Sequence, residues 1–108
     1  MSVSEVETPG GGLRILFFAR VAEGGEADFL AAYERIRHKV AQAPGHVLDQ
    51  LCQSPVDPRE WLITSEWETP AHYQTWANGH RFSELSDPIV ETTVSREHRP
   101  YLVRRSTT

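Results

Sequence analysis

The chain has 108 residues, 39% of them hydrophobic and 24% charged, and a formal net charge of −4 at pH 7. This length allows one domain, because a second would be too small to bury a core of its own. The negative charge argues against nucleic acid as the main partner, since phosphate binding needs a basic surface.

The single cysteine, Cys52, excludes an internal disulfide and a paired-cysteine metal site. Its place in a predicted strand favours a small buried thiol. No apolar run approaches the roughly 20 residues that a membrane helix needs. Residues 1–12 carry no basic residue, which is unlike a secretory signal. We therefore expect a cytoplasmic protein with no membrane partner.

The first elements are predicted from composition and periodicity. Residues 1–12 end in three glycines and are expected to form a flexible tail. The β-formers of residues 13–21 predict a largely buried strand. In residues 26–43 apolar side chains recur at helical spacing, and Pro44-Gly45 ends that helix.

Two strands and a capped helix follow. Residues 46–53 and 60–68 read as strands, the second with alternating side-chain directions. Thr69-Pro70 is a helix start, with threonine as the N-cap and proline in the first helical position. This short helix is expected to run to about Asn78.

The last third of the chain has weaker signals. After a break at Gly79, a second helical stretch is predicted to end before Asp87-Pro88. Residues 89–98 are ambiguous, and residues 100–105 read as a closing strand. The predicted domain spans residues 13–105, with residues 106–108 as a C-terminal tail.

The order β-α-β-β-α-β is the ferredoxin-like α+β arrangement, an antiparallel sheet with both helices on one face. The other face of such a sheet is bare. We expect it to pack against a second copy of the chain, giving a homodimer, because exposing an apolar face to water is costly.

The side chains best suited to chemistry lie between Trp67 and His80. Tyr73 and Trp76 share a helix face, and Trp76 and His80 are four residues apart. Such aromatic walls with a few polar tips are typical of ligand pockets. The alternative is that the two tryptophans and Tyr73 only form the core between sheet and helix.

His80 is the candidate general base or ligand to a metal or haem, because it follows a glycine break beside the predicted cleft. No pair of histidines has a recognised zinc-site spacing, so no metal site is predicted. No nucleophile elbow or phosphate-binding glycine loop is present either.

Several stretches resemble the antibiotic biosynthesis monooxygenase family of small dimeric α/β-barrel proteins. They are the first strand and helix (ILFFARVAEGGEADFLAAYERI), the turn AQAPGHV, the strand end SEWETP and the helix AHYQTWANG. The resemblance implies a cofactor-free oxygenase that converts a planar aromatic substrate, such as an anthrone-type polyketide intermediate, with dioxygen. Trp67 matches a tryptophan at the strand end of such enzymes, and Tyr73 matches an aromatic hydroxyl that some of them use.

The chain departs from that pattern at two positions. Ile63 stands where those oxygenases carry an asparagine, and a first-strand asparagine is also absent near Phe17. The hypothesis assigns catalytic roles to Trp67, Tyr73 and His80. It assigns the substrate-binding wall to Phe17, Ile63, Trp76 and Phe82.

Two alternative functions remain open at this point. One is a non-oxidative role in a polyketide pathway, as a cyclase-like or intermediate-binding protein. The other is haem binding or degradation, since Trp76 matches a tryptophan of the haem-degrading branch; the histidine expected about ten residues later falls at Leu85 or Ser86.

Overall fold

The computed structural model describes residues 5–7, 12–79 and 82–107. Its elements in chain order are β1 (Glu5–Glu7), β2 (Leu13–Val21), α1 (Glu26–Val40), β3 (His46–Gln53), β4 (Glu60–Trp67), α2 (Pro70–Ala77), α3 (Phe82–Glu91), β5 (Thr93–Leu102) and β6 (Arg105–Thr107).

Four strands form one antiparallel sheet in the order β3-β4-β2-β5. The two strands that follow each other directly in the chain, β3 and β4, are neighbours, and the first and last strands of the motif, β2 and β5, lie side by side. This is the ferredoxin-like order, so the predicted fold class is confirmed.

The helices cover one face of the sheet, where the core forms. That face, the helix-facing side, carries every second residue of β2, and Ile15, Ala19 and Val21 are among its buried members. Phe29 of α1 and Ile89 of α3 pack in one apolar cluster with Ala19 and Val21. The helical spacing of α1 therefore predicted its buried face, whereas β2, predicted as a largely buried strand, is buried mainly on its helix-facing side.

The end of the chain differs from the prediction. Helix α3 continues through Pro88 to Glu91, and β5 begins at Thr93. Burial of Leu85 and Ile89 on either side of the proline favours the continued helix. The start of β5 has no apolar alternation because all its residues except Thr93 are exposed at the edge of the sheet.

Two short strands were not predicted. β1 pairs with β6 in a separate two-stranded antiparallel sheet, with Val6 opposite Ser106. Three residues are too few for a periodic signal. The expectation of a buried Cys52 is wrong: this cysteine is exposed, because β3 is an edge strand and Cys52 lies on the side away from the helices.

The side of the sheet without helices is here called the outer face. Cross-strand register places Phe18, Leu62 and Cys52 in one row of this face, and Leu16 lies beside Thr64 in the next. The described chain measures 46 × 36 × 20 Å, with a radius of gyration of 15.0 Å. A compact domain of this length has a radius of about 13 Å. The molecule is therefore a flat slab with one uncovered sheet face.

Among the described residues, no helix is long and apolar enough to cross a membrane.

Candidate functional site

A cavity of about 230 Å³ lies between the helices and the helix-facing side of the sheet. We call it the helix–sheet cavity. All three helices and all four strands of the main sheet contribute to its lining, which consists of Ile15, Phe17, Tyr33, Ile36, Val40, Asp49, Ile63, Ser65, Trp67, Tyr73, Trp76, Ser86, Ile89, Val90 and His98.

The floor of the cavity is made by rows of residues that pair across the strands. One row is His98–Phe17–Ile63–Leu51, and the next is Pro100–Ile15–Ser65–Asp49. Neighbouring strands lie about 4.8 Å apart, so the strands carrying His98 and Asp49 are about 14 Å apart. The floor is therefore an apolar strip with a polar group near each end.

Trp67 forms the buried end of this cavity. Its side chain is 1% exposed, and its indole Nε1–H donates to Ser65 Oγ at 3.1 Å. The rings of His46, Tyr73 and Trp76 lie 5.2, 5.5 and 5.8 Å from it, those of His46 and Tyr73 edge-on. These contacts fix the tryptophan in one orientation.

Helix α2 brings Tyr73 and Trp76 to the cavity. Thr69 caps the helix, its Oγ1 accepting from the His72 backbone N–H at 3.1 Å, and Pro70 occupies the first turn. This confirms the predicted helix start. His72 packs directly on Gly45, which has a φ of +85° at the entry to β3, so a side chain there would collide with the imidazole.

Tyr73 is paired with a residue that the sequence did not single out. Its Oη shares a hydrogen bond of 3.1 Å with His98 Nε2, and the two rings stack with centroids 6.2 Å apart. Burial raises the pKa of the Tyr73 hydroxyl above its usual value, so this group is protonated at neutral pH and can donate.

A second polar group lies at the other end of the floor. Tyr33 Oη donates to Asp49 Oδ1 at 2.8 Å, and His46 Nε2 lies 3.6 Å from Asp49 Oδ2. Burial raises the pKa of the Asp49 carboxyl, an effect that Tyr33 and His46 partly offset. Burial, followed by the hydrogen bond to Asp49, also raises the pKa of Tyr33 far above its usual value.

Five of the seven predicted site residues line this cavity. They are Trp67 and Tyr73 of the catalytic set and Phe17, Ile63 and Trp76 of the binding wall. His80 lies outside the described residues, as does the side chain of Phe82. Their roles, and the haem alternative that rests on a histidine ligand, stay predictions.

Sequence reasoning missed three polar groups of the cavity. Tyr33 is a buried residue of α1, and its hydroxyl reaches Asp49. Asp49 lies next to Leu51 on the helix-facing side of β3, and a carboxylate on a buried strand face was the available signal. His98 is exposed, yet its ring also reaches Tyr73.

The described residues contain no group of three or more metal-ligating side chains.

Residues 13–87 match the family model described as antibiotic biosynthesis monooxygenase. The chain is also 41% identical over 98 residues to the 42.8 kDa protein in the whiE locus of Streptomyces coelicolor, covering 91% of this chain and 25% of that protein. It is 35% identical over 98 residues to the polyketide synthase CurD of Streptomyces cyaneus, covering 91% and 26%. The chain thus spans about a quarter of the length of these relatives.

Solved structures share the fold at low sequence identity. A conserved protein from Methanosarcina mazei superposes with a TM-score of 0.82 at 13% identity, over 90% of this chain and 97% of that one. A mutant of SnoaB, a cofactor-independent oxygenase from Streptomyces nogalater, superposes with a TM-score of 0.81 at 15% identity, over 88% and 95%.

Proposed function

This chain belongs to the antibiotic biosynthesis monooxygenase family, and we propose that it oxidises a planar aromatic, polyketide-like small molecule with dioxygen and without a bound cofactor. One observation carries the proposal. The helix–sheet cavity has a flat apolar floor with a polar group near each end. This shape suits a flat ring system with oxygen substituents.

The proposed roles follow from the geometry. Phe17 and Ile63, opposite each other on neighbouring strands, support the face of the substrate. Trp67 sets the depth of the site and orients the substrate by ring contact, since its N–H is already bonded to Ser65. Tyr73, paired with His98, donates to a substrate oxygen where negative charge develops. His80 stays in the catalytic set as a prediction.

The proposed reaction needs no redox group from the protein. Removal of a proton leaves an electron-rich carbanion or phenolate, which passes electrons to dioxygen and forms a carbon–oxygen bond. The resulting hydroperoxide loses water and leaves a carbonyl, so one oxygen atom enters the product and the other leaves as water. An apolar cavity supports this step because it excludes water from the reactive anion.

The named relatives support the substrate class. One of them is described as a polyketide synthase, and the structural neighbour SnoaB is described as a cofactor-independent oxygenase. Both descriptions fit a cavity that accepts an aromatic polyketide.

Oxygen uptake tests the proposal. We expect the purified protein to consume dioxygen with anthrone as the probe substrate, in the presence of a metal chelator and without added flavin. The Tyr73→Phe variant should lower the rate about tenfold or more, since a charge-stabilising donor is lost. Uptake no faster than the uncatalysed rate for anthrone and related anthrones would contradict the proposal.

A non-oxidative role is the second candidate, and one observation favours it. Phe17 and Ile63 make a continuous apolar row where an oxygenase of this family would carry amide donors. A protein that binds an intermediate and assists ring closure needs only shape and a proton carrier. Conversion of a reactive polyketide without oxygen uptake would support this role.

We also propose that two copies pair through the outer face. Phe18 is 38% exposed and Tyr101 is 49% exposed there; Leu16 lies one row from Phe18 on β2, and Leu62 pairs with Phe18 from β4. A second copy would cover these apolar side chains. A cytoplasmic location likewise stays a prediction.

A further inference from the structure

Building on the proposed function, we infer that Asp49 is the group that takes the proton from the substrate, with Tyr33 and His46 as its positioning residues. This assigns the acid–base step to the β3 end of the helix–sheet cavity. At the other end of the cavity, Tyr73, paired with His98, then donates a hydrogen bond to the substrate oxygen.

The position of Asp49 is the first support. Its carboxylate lines the cavity, its side chain is 13% exposed, and it lies in the row that contains Ser65 and Ile15. Tyr33, reaching down from α1, holds one carboxylate oxygen at 2.8 Å. The carboxylate is therefore fixed in direction beside an apolar floor, as a proton acceptor must be.

His46 provides an independent observation. Its side chain is 6% exposed, and its Nε2 has no hydrogen-bond partner among the described residues. A buried ring nitrogen without a partner is costly, because it has lost its hydrogen bond to water and gained none in the protein. This nitrogen is 3.6 Å from Asp49 Oδ2, slightly too far for a hydrogen bond. A small shift of the carboxylate on substrate binding would close that gap.

The surrounding charges suit a base. Burial is the main cause that raises the pKa of Asp49, and Tyr33, His46 and Arg37 act in the opposite direction. Glu34 also faces Tyr33 from the same helix. A carboxylate whose pKa is raised by burial is a stronger base than an exposed one.

His98 is the competing candidate, and the geometry disfavours it. It lies on the exposed edge strand β5 and shares its Nε2 with the hydroxyl of Tyr73. A proton acceptor there would be open to solvent and already engaged. Asp49 is the better shielded group.

The step balances in protons and electrons. Asp49 takes the proton from an acidic C–H or phenolic O–H, and the bonding pair stays on the substrate. Dioxygen accepts electrons from that anion and bonds to carbon. Asp49 then returns its proton to the peroxide oxygen, and the hydroperoxide loses water to leave a carbonyl.

Deuterium exchange without oxygen isolates the proton transfer from the oxidation. Anthrone, the probe, exchanges its methylene protons with heavy water, and the rate can be followed by NMR under anaerobic conditions. We expect the wild-type chain to accelerate exchange and Asp49→Asn to reduce that acceleration about 100-fold or more. Asp28→Asn, an exposed carboxylate in the first turn of α1, is the matched control and should exchange like wild type.

Tyr33→Phe tests the positioning role by a pH profile. A hydrogen bond to the charged carboxylate lowers the pKa of Asp49, so its loss should raise that pKa. Exchange requires the ionised carboxylate, so the acid limb of the profile should move to higher pH. A purely structural role for Tyr33 would lower the rate at all pH values without moving the limb.

The outcomes separate this inference from the proposed function. Wild-type exchange without oxygen uptake would contradict the oxygenase and leave Asp49 as the base. The role of Asp49 would be overturned if the Asp49→Asn variant took up oxygen at a rate within a few-fold of wild type. It would also be overturned if the acid limb of the exchange pH profile did not move in the Tyr33→Phe variant. No acceleration of exchange by the wild-type chain would overturn it as well. Near-ultraviolet circular dichroism checks that each variant is folded.

Discussion

Single hydrogen bonds decide how the cavity wall is held, and the bond from Trp67 to Ser65 is the clearest case. Trp67 is packed by three aromatic rings, and its indole N–H donates to the Ser65 hydroxyl at 3.1 Å. A buried N–H left without a partner costs more than the bond itself contributes. The wall is therefore sensitive to the serine as well as to the tryptophan.

We predict that Ser65→Ala lowers the free energy of unfolding by about 1–3 kcal/mol, because it strands the indole N–H. In a Trp67→Phe background the same change should cost less, since the donor is gone. Urea unfolding of the two single variants and the double variant measures this coupling. An equal cost of Ser65→Ala in both backgrounds would show that the hydrogen bond contributes nothing.

Asp49 gives a prediction in which stability and activity move in opposite directions. Burial raises its pKa in the folded chain above the unfolded value of about 3.9. The folded chain therefore binds the Asp49 proton more tightly than the unfolded chain does. The contribution of Asp49 to the free energy of unfolding falls as the pH rises from the unfolded pKa to the folded pKa, and it stays low at higher pH.

The Asp49→Asn variant has no carboxyl to ionise at this position, so its free energy of unfolding does not fall for this reason as the pH rises. It should be more stable than wild type at neutral pH, and its advantage should shrink towards about pH 4, where the wild-type carboxyl is protonated. The difference between the two unfolding curves, measured from acid to neutral pH, isolates this group. An advantage that grows on acidification would mean that the folded state favours the charged carboxylate.

At the scale of elements, helix α2 is placed by the turn that precedes β3. Gly45 has a φ of +85°, and an added Cβ would come within 2.2 Å of the His72 ring. Gly24 has a φ of +79° with nothing within 4 Å of such a Cβ. Both glycines thus have a positive φ, but only at Gly45 would an added side chain collide with a neighbouring residue.

This contrast separates backbone strain from packing. Gly24→Ala should lower the free energy of unfolding by about 1–2 kcal/mol, the cost of a left-handed conformation for an L-residue. Gly45→Ala should cost clearly more, and it should weaken binding of an aromatic ligand, because α2 carries Tyr73 and Trp76. Thermal unfolding and quenching of tryptophan fluorescence measure the two effects. Equal costs at the two glycines would remove the role of the His72 contact.

The elements also show how far the sequence predicts this structure. Helix α2 was predicted closely because Thr69 and Pro70 are strong local signals. The start of β5 was not predicted, because the residues of this edge strand are exposed and its sequence therefore shows no alternation of apolar and polar residues. The cavity wall of Trp67, Tyr73 and Trp76 was found from spacing. The Tyr33–Asp49 pair joins residues from two elements, and such a contact depends on tertiary geometry that no local pattern records.

At the scale of the whole molecule, the flat shape and uncovered outer face lead to the dimer prediction. Phe18→Glu places a charge directly beside Leu62 on the outer face. It should convert a dimer into monomers in sedimentation velocity, since burying an unpaired charge is costly. Val56→Glu is the matched control: this valine is 90% exposed in a loop and should leave the mass unchanged. A wild-type chain that sediments as a monomer would contradict the prediction.

We propose that an aromatic substrate loses a proton in the helix–sheet cavity and that the resulting anion reacts there with dioxygen. The most direct measurement is the reaction of anthrone under isotopically labelled dioxygen, with the product examined by mass spectrometry. We predict one labelled oxygen atom per product molecule, formed at a rate that increases with protein concentration and falls in the Asp49→Asn variant. Product without label, or labelled product formed equally fast without the protein, would contradict it.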